Sequence, residues 1–275
     1  MPRTSTARAR LLGVALIAGL AWSIDAGLAE ARAFDARSAL DLSEKAVGGS
    51  LGRHRLRTPD GRMVSLDSYR GKPLVVSLIY TGCADICPTV SETLARAAQA
   101  GRAAMGDDSF RIITVGFDAR NDTPARMRAY AASRGLDLAG WDFLSADAAT
   151  VDALARDLGF TFFPSPKGFD HMSQTSIVDA EGVVYRHVYG ANFDPPQLIE
   201  PLKDLVFGRQ GNLASIEGII NRVRLFCTLY DASSDRYRFD YSIFIAIAIG
   251  ALALGGMGAI LVRGAVDHWR TTGRG

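Results

Sequence analysis

Two cysteines stand four positions apart, between a strongly apolar segment and a proline. The apolar segment, LVVSLIY at residues 74–80, is rich in β-branched residues, which predicts a central strand buried on both faces. Cys83 and Cys87 follow at once, and Pro88 suits the first turn of a helix that continues to Gly101. A loop of this kind places both sulfurs at a helix N-terminus, where the partial positive charge favours thiolates.

The segments on either side alternate between strand-like and helix-like patterns. A hairpin is predicted at 58–66, further strands at 111–118, 141–145, 175–178 and 183–188, helices at 122–135, 149–159 and 195–206, and an irregular segment at 160–172. This order predicts one α/β domain with a central mixed sheet flanked by helices. A strand, a loop with two cysteines and a helix opened by proline is, in particular, the arrangement of thioredoxin-like domains.

The first 33 residues have the layout of a secretory signal peptide. Three arginines precede the apolar run LLGVALIAGLAW, and ARA at 31–33 fits a cleavage site between small residues. The apolar run is short for a membrane span, although an uncleaved anchor is the alternative. We therefore expect the mature chain to begin near Phe34, outside the cytoplasm.

A second apolar segment, residues 242–262, contains 21 residues without a charge, which is enough to cross a hydrocarbon core of about 30 Å. It predicts a transmembrane helix. The signal peptide then places the main domain on the periplasmic side of the cell membrane and the tail, 263–275, in the cytoplasm. A core helix is the alternative reading of such a run.

The charge distribution argues against a nucleic-acid partner. The formal net charge of +2 is concentrated at the two ends, since residues 1–33 and 263–275 each carry a net positive charge. The exported body between them is slightly acidic and lacks the basic footprint of a nucleic-acid-binding domain.

The two cysteines alone leave three interpretations open: a structural disulfide, a redox pair or two ligands of a metal site. The C-x-x-x-C spacing is one residue wider than the C-x-x-C of common disulfide oxidoreductases, so the sulfurs can flank an ion and still close a disulfide. A disulfide across so small a loop would add little stability.

A metal site needs a third ligand, and the chain has four histidines. His268 lies in the tail and His54 in the weakly patterned stretch before the predicted hairpin, and strand alternation turns His187 toward solvent or a second shell. His171 precedes the strand at 175–178, in a loop that returns beside the cysteines in a thioredoxin-like fold. The stretch HMSQTS also lacks the proline that thioredoxin-type reductases place before this strand, which favours a metal.

Three stretches resemble the Sco/SenC family of copper chaperones. They are YTGCADICP at 80–88, VGFDARNDTP at 115–124 and DHMSQTSIVDAEG at 170–182. Their order and spacing also match, over roughly residues 50–206. The C-x-x-x-C-P motif and the distant Asp-His pair are specific in combination, whereas either alone is weak.

The resemblance implies copper ligands at Cys83, Cys87 and His171. Thiolates select Cu(I), and an added imidazole lets the same site hold Cu(II). It also implies delivery of copper to the binuclear copper site of cytochrome c oxidase subunit II during oxidase assembly, with another periplasmic protein as a possible copper donor. Ala84 departs from the family, which commonly has proline there, and many relatives carry their anchor at the N-terminus.

The resemblance also sets the domain boundaries that we expect. Residues 34–49 form a lead-in, 50–206 the thioredoxin-like copper-binding domain, and 207–241 a juxtamembrane extension before the membrane helix.

The alternative function is that of an enzyme, a periplasmic thiol-disulfide reductase that acts on the oxidase subunit's cysteines through Cys83 and Cys87. A non-enzymatic metallochaperone is the favoured interpretation, because copper binding needs His171 and disulfide exchange does not. A peroxidase of the peroxiredoxin type would need a Pro-x-x-x-Thr-x-x-Cys site, which PLVVSLIYTGC does not supply.

Several neighbouring residues stay outside the ligand set. Asp118 and Asp122 could tune the site or serve turns and caps equally well, and Asp85 could contact a partner or be merely solvated. Met172 is a soft side chain beside His171, for which core packing is favoured. Cys227 is an odd thiol near the membrane, favoured as packed and inert over a copper relay or an intermolecular disulfide.

Overall fold

The computed structural model of this protein describes residues 35–84, 86–136, 138–208, 228–231, 236–239 and 241–272. The helices and strands named below lie in one compact unit, Ala36–Gly275. The predicted signal peptide, Asp85 and Cys227 lie outside the described residues.

The secondary structure follows the predicted order, with additions. The helices are α1 Ala36–Ala46, α2 Ile86–Met105, α3 Pro124–Ser133, α4 Ala148–Asp157, α5 Pro195–Lys203 and α6 Ser242–Thr272. The strands are β1 Arg55–Arg57, β2 Met63–Ser65, β3 Leu74–Ile79, β4 Arg111–Gly116, β5 Trp141–Leu144, β6 Phe162–Ser165, β7 Gly168–His171, β8 Gln174–Val178, β9 Val184–Tyr189, β10 Thr228–Asp231 and β11 Arg236–Phe239.

Five of these strands form the central sheet, in the order β5-β4-β3-β8-β9. β3, β4 and β5 run parallel to one another, whereas β8 runs antiparallel to β3 and to β9. The sheet is therefore mixed, as predicted, and β3 lies at its centre. Because parallel connections cross over through α2 and α3, those helices are carried onto the sheet's face.

Both faces of the sheet are covered by other elements, which explains why the sequence of β3 has no polar side. All six of its residues are buried. Leu74, Val76 and Leu78 pack into one hydrophobic cluster, and Val75 and Ile79 pack into the other. The first cluster includes α4, and the second includes α2, α3 and α5. Successive side chains of a strand point to opposite faces of the sheet. A strand with a hydrophobic core on each face therefore has an uninterrupted apolar sequence.

Two segments differ from the sequence-based expectation. The lead-in contains α1, an amphipathic helix that buries Ala39 and Ser43 and leaves Leu40 and Leu42 exposed. The segment 160–172 was predicted to be irregular, and this was wrong: β6 and β7 form an antiparallel hairpin in which Phe162 pairs with His171.

Buried polar contacts attach α1 to the sheet. The Ser43 hydroxyl lies 2.9 Å from Gln174 Oε1 and 2.8 Å from the Tyr189 hydroxyl. Gln174 in turn donates to the Leu158 carbonyl at 2.8 Å. The lead-in is thus joined to the end of α4 and to the start of β8, three residues after His171.

α6 contains the apolar stretch for which the sequence predicts a membrane span. Its stretch Phe244–Gly264 is long and apolar enough to cross a bilayer, and none of it is buried against the rest of the described chain. The predicted span, 242–262, overlaps this stretch almost completely.

The junction of α1 with α4 yields a stability prediction. Gly159 has φ +62°, and a Cβ there would lie 2.5 Å from the Leu42 carbonyl oxygen and 2.7 Å from the Ser43 Cα. Both are backbone atoms that cannot rotate away. An alanine at a positive φ already costs stability. Because of the added clash with the α1 backbone, we expect Gly159→Ala to lower the free energy of unfolding by about 1–3 kcal/mol beyond that cost.

Gly135 is the matched control, because it also has φ +62° but has open space around the Cβ position. Urea unfolding of the full chain in detergent would compare Gly159→Ala with Gly135→Ala. Equal losses of stability in the two variants would show that α1 does not pack tightly against this turn.

Candidate metal centre

The cysteine loop begins where β3 ends and closes on the first turn of α2. Cys83 N–H donates to the Tyr80 carbonyl at 3.1 Å, which turns the chain sharply after the strand. The backbone N–H of Cys87 then donates to Cys83 Sγ at 3.3 Å. The Cys83 sulfur is therefore located at the helix N-terminus, as predicted, where an N–H group and the helix dipole both favour its thiolate.

The two thiols have different environments. Cys83 is half-buried, whereas Cys87 is only 2% exposed. Burial raises the pKa of the Cys87 thiol well above its ordinary value, because the apolar surroundings disfavour the thiolate. Both cysteines are reduced in this structure. Cys83 is thus the thiol that an incoming metal or disulfide meets first.

A buried carboxylate holds the loop in place. Asp122 is 2% exposed and accepts hydrogen bonds from the Thr81 backbone N–H at 2.8 Å, the Thr81 hydroxyl at 2.7 Å and the Asp118 N–H at 2.9 Å. Burial raises its pKa, although these hydrogen bonds act in the opposite direction. Gly116 leaves room for it, since a Cβ there would lie 2.4 Å from the Asp122 Cβ. Asp122 therefore acts as an anchor for the loop before Cys83.

His171 ends β7 inside a cluster of aromatic rings. Its ring centroid lies 5.3 Å from that of Phe117, 5.5 Å from Phe160 and 6.1 Å from Tyr80. Burial lowers the pKa of His171, so the imidazole is neutral at neutral pH. Neutral imidazole is the form that binds metals.

The tautomer of His171 follows from its hydrogen bond. Nδ1 lies 3.1 Å from the Met172 carbonyl oxygen, which can only accept. Nδ1 must therefore carry the proton, and Nε2 keeps the lone pair that a metal would use. The backbone itself thus orients the imidazole as a ligand.

The sheet brings His171 and the cysteines to the same edge. β3 pairs antiparallel with β8 from Leu74↔Val178 to Ser77↔Thr175. Continuing this register past Ser77 directs the end of β3 toward the residues just before β8. The cysteine loop follows β3 and His171 precedes β8, so the two segments meet.

The cysteine loop and His171 share this edge, but the three residues are not assembled into a coordination sphere. Across the part of the chain that the structure describes, no three His, Cys, Asp or Glu side chains are close enough to hold a metal ion. Tyr80, three residues before Cys83, packs its ring edge-to-face against that of His171.

The other histidines with described side chains serve the fold. His54 Nε2 lies 2.6 Å from Asp157 on α4. His187 is buried, not directed to solvent as strand alternation suggested, and its Nδ1 lies 2.9 Å from the Ser176 hydroxyl. Met172 is half-buried. None of these side chains approaches the cysteine loop through a contact that the structure records.

Sequence reasoning missed Tyr80. The available signal was its position directly before Thr81-Gly82-Cys83, because an aromatic residue at the end of a central strand lies beside the loop that follows the strand. The contacts of its ring with Phe169 and His171, however, depend on the β6–β7 hairpin, which the sequence did not predict.

The match to known proteins covers the domain that carries these residues. The SCO1/SenC family model matches residues 45–207. The chain is also 29% identical to a SCO1 protein homolog of Bacillus subtilis (strain 168) over 140 residues, which are 50% of this chain and 72% of that protein.

Solved structures share the fold. Arabidopsis thaliana ScoI with copper bound matches with a TM-score of 0.51 and 22% identity, over 60% of this chain and 99% of that one. BsSco, a member of the Sco family of cytochrome c oxidase assembly proteins with an identified disulfide switch, matches with a TM-score of 0.52 and 23% identity, over 58% and 94%.

These two structures establish the architecture only, which is thioredoxin-like with a mixed central sheet. The family model spans more than half of the chain, including the cysteine loop, the buried Asp122 and the β6–β7 hairpin. By that match, the chain belongs to the SCO1/SenC family.

Proposed function

We propose that this chain binds one copper ion through Cys83, Cys87 and His171 and delivers it to the binuclear copper site of cytochrome c oxidase subunit II. The observation that supports this most strongly is the shared sheet edge. The antiparallel β3–β8 pair directs the segment with the helix-terminal thiols and the segment with the neutral imidazole to one edge of the sheet, from distant parts of the sequence.

The donor set fits copper on chemical grounds. Two sulfurs and one imidazole nitrogen are soft to intermediate ligands, which suit Cu(I) and can also hold Cu(II). Hard cations such as Mg²⁺ and Ca²⁺ prefer oxygen ligands, and Asp122, a buried carboxylate beside the described part of the loop, is occupied by three hydrogen bonds. When bound, copper is the cargo of this protein, and the chain's residues hold and orient it.

Relatives support the same function. Arabidopsis thaliana ScoI has been crystallised with copper bound, and BsSco is described as one of the cytochrome c oxidase assembly proteins. Transfer of these properties to this chain is part of the proposal.

We further infer that the protein works from the membrane. The signal-peptide pattern at 1–33 and the apolar span in α6 would tether the copper-binding domain, residues 50–206, on the periplasmic side, with the lead-in 34–49 before it and the extension 207–241 leading to the membrane. That location would give the domain access to an acceptor at the same membrane surface and to a periplasmic copper donor.

A second function, thiol-disulfide reduction, is favoured by the unequal thiols. The more accessible Cys83, as the thiolate, would attack a disulfide sulfur of the oxidase subunit and form a mixed disulfide. The Cys87 thiolate would then attack Cys83 Sγ, which releases the subunit as a dithiol and leaves Cys83–Cys87 oxidised. Electrons and protons balance, since two thiols of this chain replace one disulfide of the partner.

The first prediction concerns copper affinity. The full chain in detergent, reduced and titrated with Cu(I) against a competing chelator, should bind one copper tightly at the site. Cys83→Ser and His171→Ala should each weaken this binding by about 100-fold or more, because substitutions in the shell beyond the ligands already cost about 10–100-fold.

Two matched controls separate ligand loss from general damage. Cys227→Ser removes a thiol outside the proposed ligand set, and Asp170→Asn alters the exposed neighbour of His171. Both should leave affinity within about threefold of the starting protein, a difference below 1 kcal/mol. Wild-type affinity in His171→Ala would remove His171 from the site.

The second prediction concerns the two thiols. Iodoacetamide should modify Cys83 at least about tenfold faster than Cys87, because alkylation needs an accessible thiolate. Since burial raises the Cys87 pKa, its labelling should stay slow even at pH 9. Fragment-ion mass spectrometry of the labelled peptide distinguishes the two sites. Faster labelling of Cys87 would contradict the order of attack in the reductase mechanism.

A further inference from the structure

The hairpin β10–β11 is the last described element before the apolar helix α6. Thr228 pairs with Phe239 and Asp231 pairs with Arg236 in antiparallel register. Among the strands that the structure describes, these two form a sheet of their own. A two-stranded ribbon is marginally stable in water unless a helix or further strands pack against it. The hairpin therefore needs another element to pack against.

That element is α2, the helix that begins at the cysteine loop. Cα atoms of β11 lie within 8 Å of Cα atoms of α2. α2 is itself held in the core, because Leu94 and Ala97 belong to the same hydrophobic cluster as Val75 of the central strand, and α5 packs beside it. The hairpin thus contacts a fixed helix whose first turn contains Cys87.

The hairpin is also close to the apolar helix along the chain. α6 begins at Ser242, three residues after β11 ends at Phe239. Aromatic residues are enriched at membrane–water interfaces, and Tyr230, Tyr237, Phe239 and Tyr241 all lie in this stretch. β11 therefore contacts α2 and is joined by a very short connection to the predicted membrane span.

The contact limits the distance between the cysteine loop and the start of α6. α2 has 20 residues and is about 30 Å long. At most about 20 Å of chain separates any residue of β11 from Ser242. With the 8 Å between contacting Cα atoms, Cys87 lies no more than about 60 Å from Ser242. Without the contact, residues 209–241 alone could extend over about 110 Å.

We propose that β10–β11 is a docking arm that fixes the copper-binding domain to the lipid surface through α2, so that the cysteine loop serves an acceptor in the same membrane at short range and in a fixed direction. A free tether would let the domain turn and reach in every direction. Docking removes that freedom in advance, which lowers the entropy lost when the domain meets its acceptor. The membrane role rests on the proposed function, whereas the docking of β11 on α2 belongs to the chain itself.

The first test measures the distance between the cysteine loop and α6 in the metal-free full chain in detergent. With Cys87→Ser, Cys227→Ser and Ser242→Cys, nitroxide labels attach to Cys83 and to position 242. Cys83 Sγ lies 3.3 Å from the backbone nitrogen of residue 87, so the same distance limit applies to it. Double electron–electron resonance should give one narrow distribution centred below about 60 Å.

The test variant replaces Arg236–Phe239 with Gly-Ser-Gly-Ser, which keeps the chain length and removes the strand-forming residues. The distance distribution should become at least about twofold broader and extend beyond about 60 Å, because a flexible segment then joins the domain to α6. Tyr237→Phe is the matched control, since it keeps an aromatic residue in β11, and it should leave the distribution unchanged. A broad distribution with the native hairpin, or an unchanged narrow one after the replacement, overturns the docking.

The second test addresses the membrane role in vesicles of phosphatidylcholine and phosphatidylglycerol. In the full chain with Cys87→Ser and Cys227→Ser, energy transfer from a fluorophore on Cys83 to rhodamine-labelled lipid headgroups should fall at least about twofold after the Gly-Ser replacement. Equal transfer in the two chains overturns the membrane role.

The outcomes separate this proposal from the function on which it rests. A chain that does not insert into the vesicles overturns the tether and with it the membrane role, and the distances in detergent still decide the docking. If the chain binds no copper, the delivery function fails. Both tests use metal-free protein and therefore decide the docking and the membrane position in that case too.

Discussion

The antiparallel pairing of β3 with β8 is the constraint on which the site depends. β3 is the central strand, and its carboxyl end is followed directly by the cysteine loop. β8 runs the other way, so its amino end lies at the same edge of the sheet, and His171 lies three residues before it. Were β8 parallel to β3, His171 would lie at the opposite end of the domain from Cys83. The buried apolar residues of β3 therefore position the site as well as the core.

At that edge, neighbouring groups set the position or the protonation state of the candidate ligands. Cys83 receives a backbone N–H from the helix start, and the loop before it is anchored by Asp122. His171 is kept neutral by burial and oriented by the Met172 carbonyl. Tyr80 packs its ring against that of His171. His171 is thus a neutral imidazole with a fixed orientation, whereas burial keeps Cys87 in its thiol form.

The sequence predicted the sheet and the cysteine loop well because their signals are local. β3 and β4 are continuous apolar runs, and the loop is marked by Cys83, Cys87 and Pro88. α1 was not predicted, although it is amphipathic, because its buried residues are the small Ala39 and Ser43 and its two leucines are exposed. A helix attached through small and polar side chains shows no stripe of large apolar residues in its sequence.

The β6–β7 hairpin was not predicted from the sequence for a different reason. Two prolines in FTFFPSPKG argue against a central strand, but both strands of a two-stranded ribbon are edges, where proline is tolerated. Its stability comes from contacts with Phe117 and Tyr80, which are distant in sequence. Packing between residues that are distant in sequence leaves no periodic pattern in the sequence. Sequence alone therefore could not identify Tyr80 as a neighbour of His171.

The most direct measurement is the X-ray absorption spectrum at the copper edge of the full chain in detergent, loaded with one Cu(I) and carrying Cys227→Ser to remove the third thiol. Two sulfur ligands and one imidazole nitrogen, with the imidazole scattering lost in His171→Ala, is the result that a site built by Cys83, Cys87 and His171 predicts. Two sulfurs alone, with a spectrum that His171→Ala does not change, would contradict it.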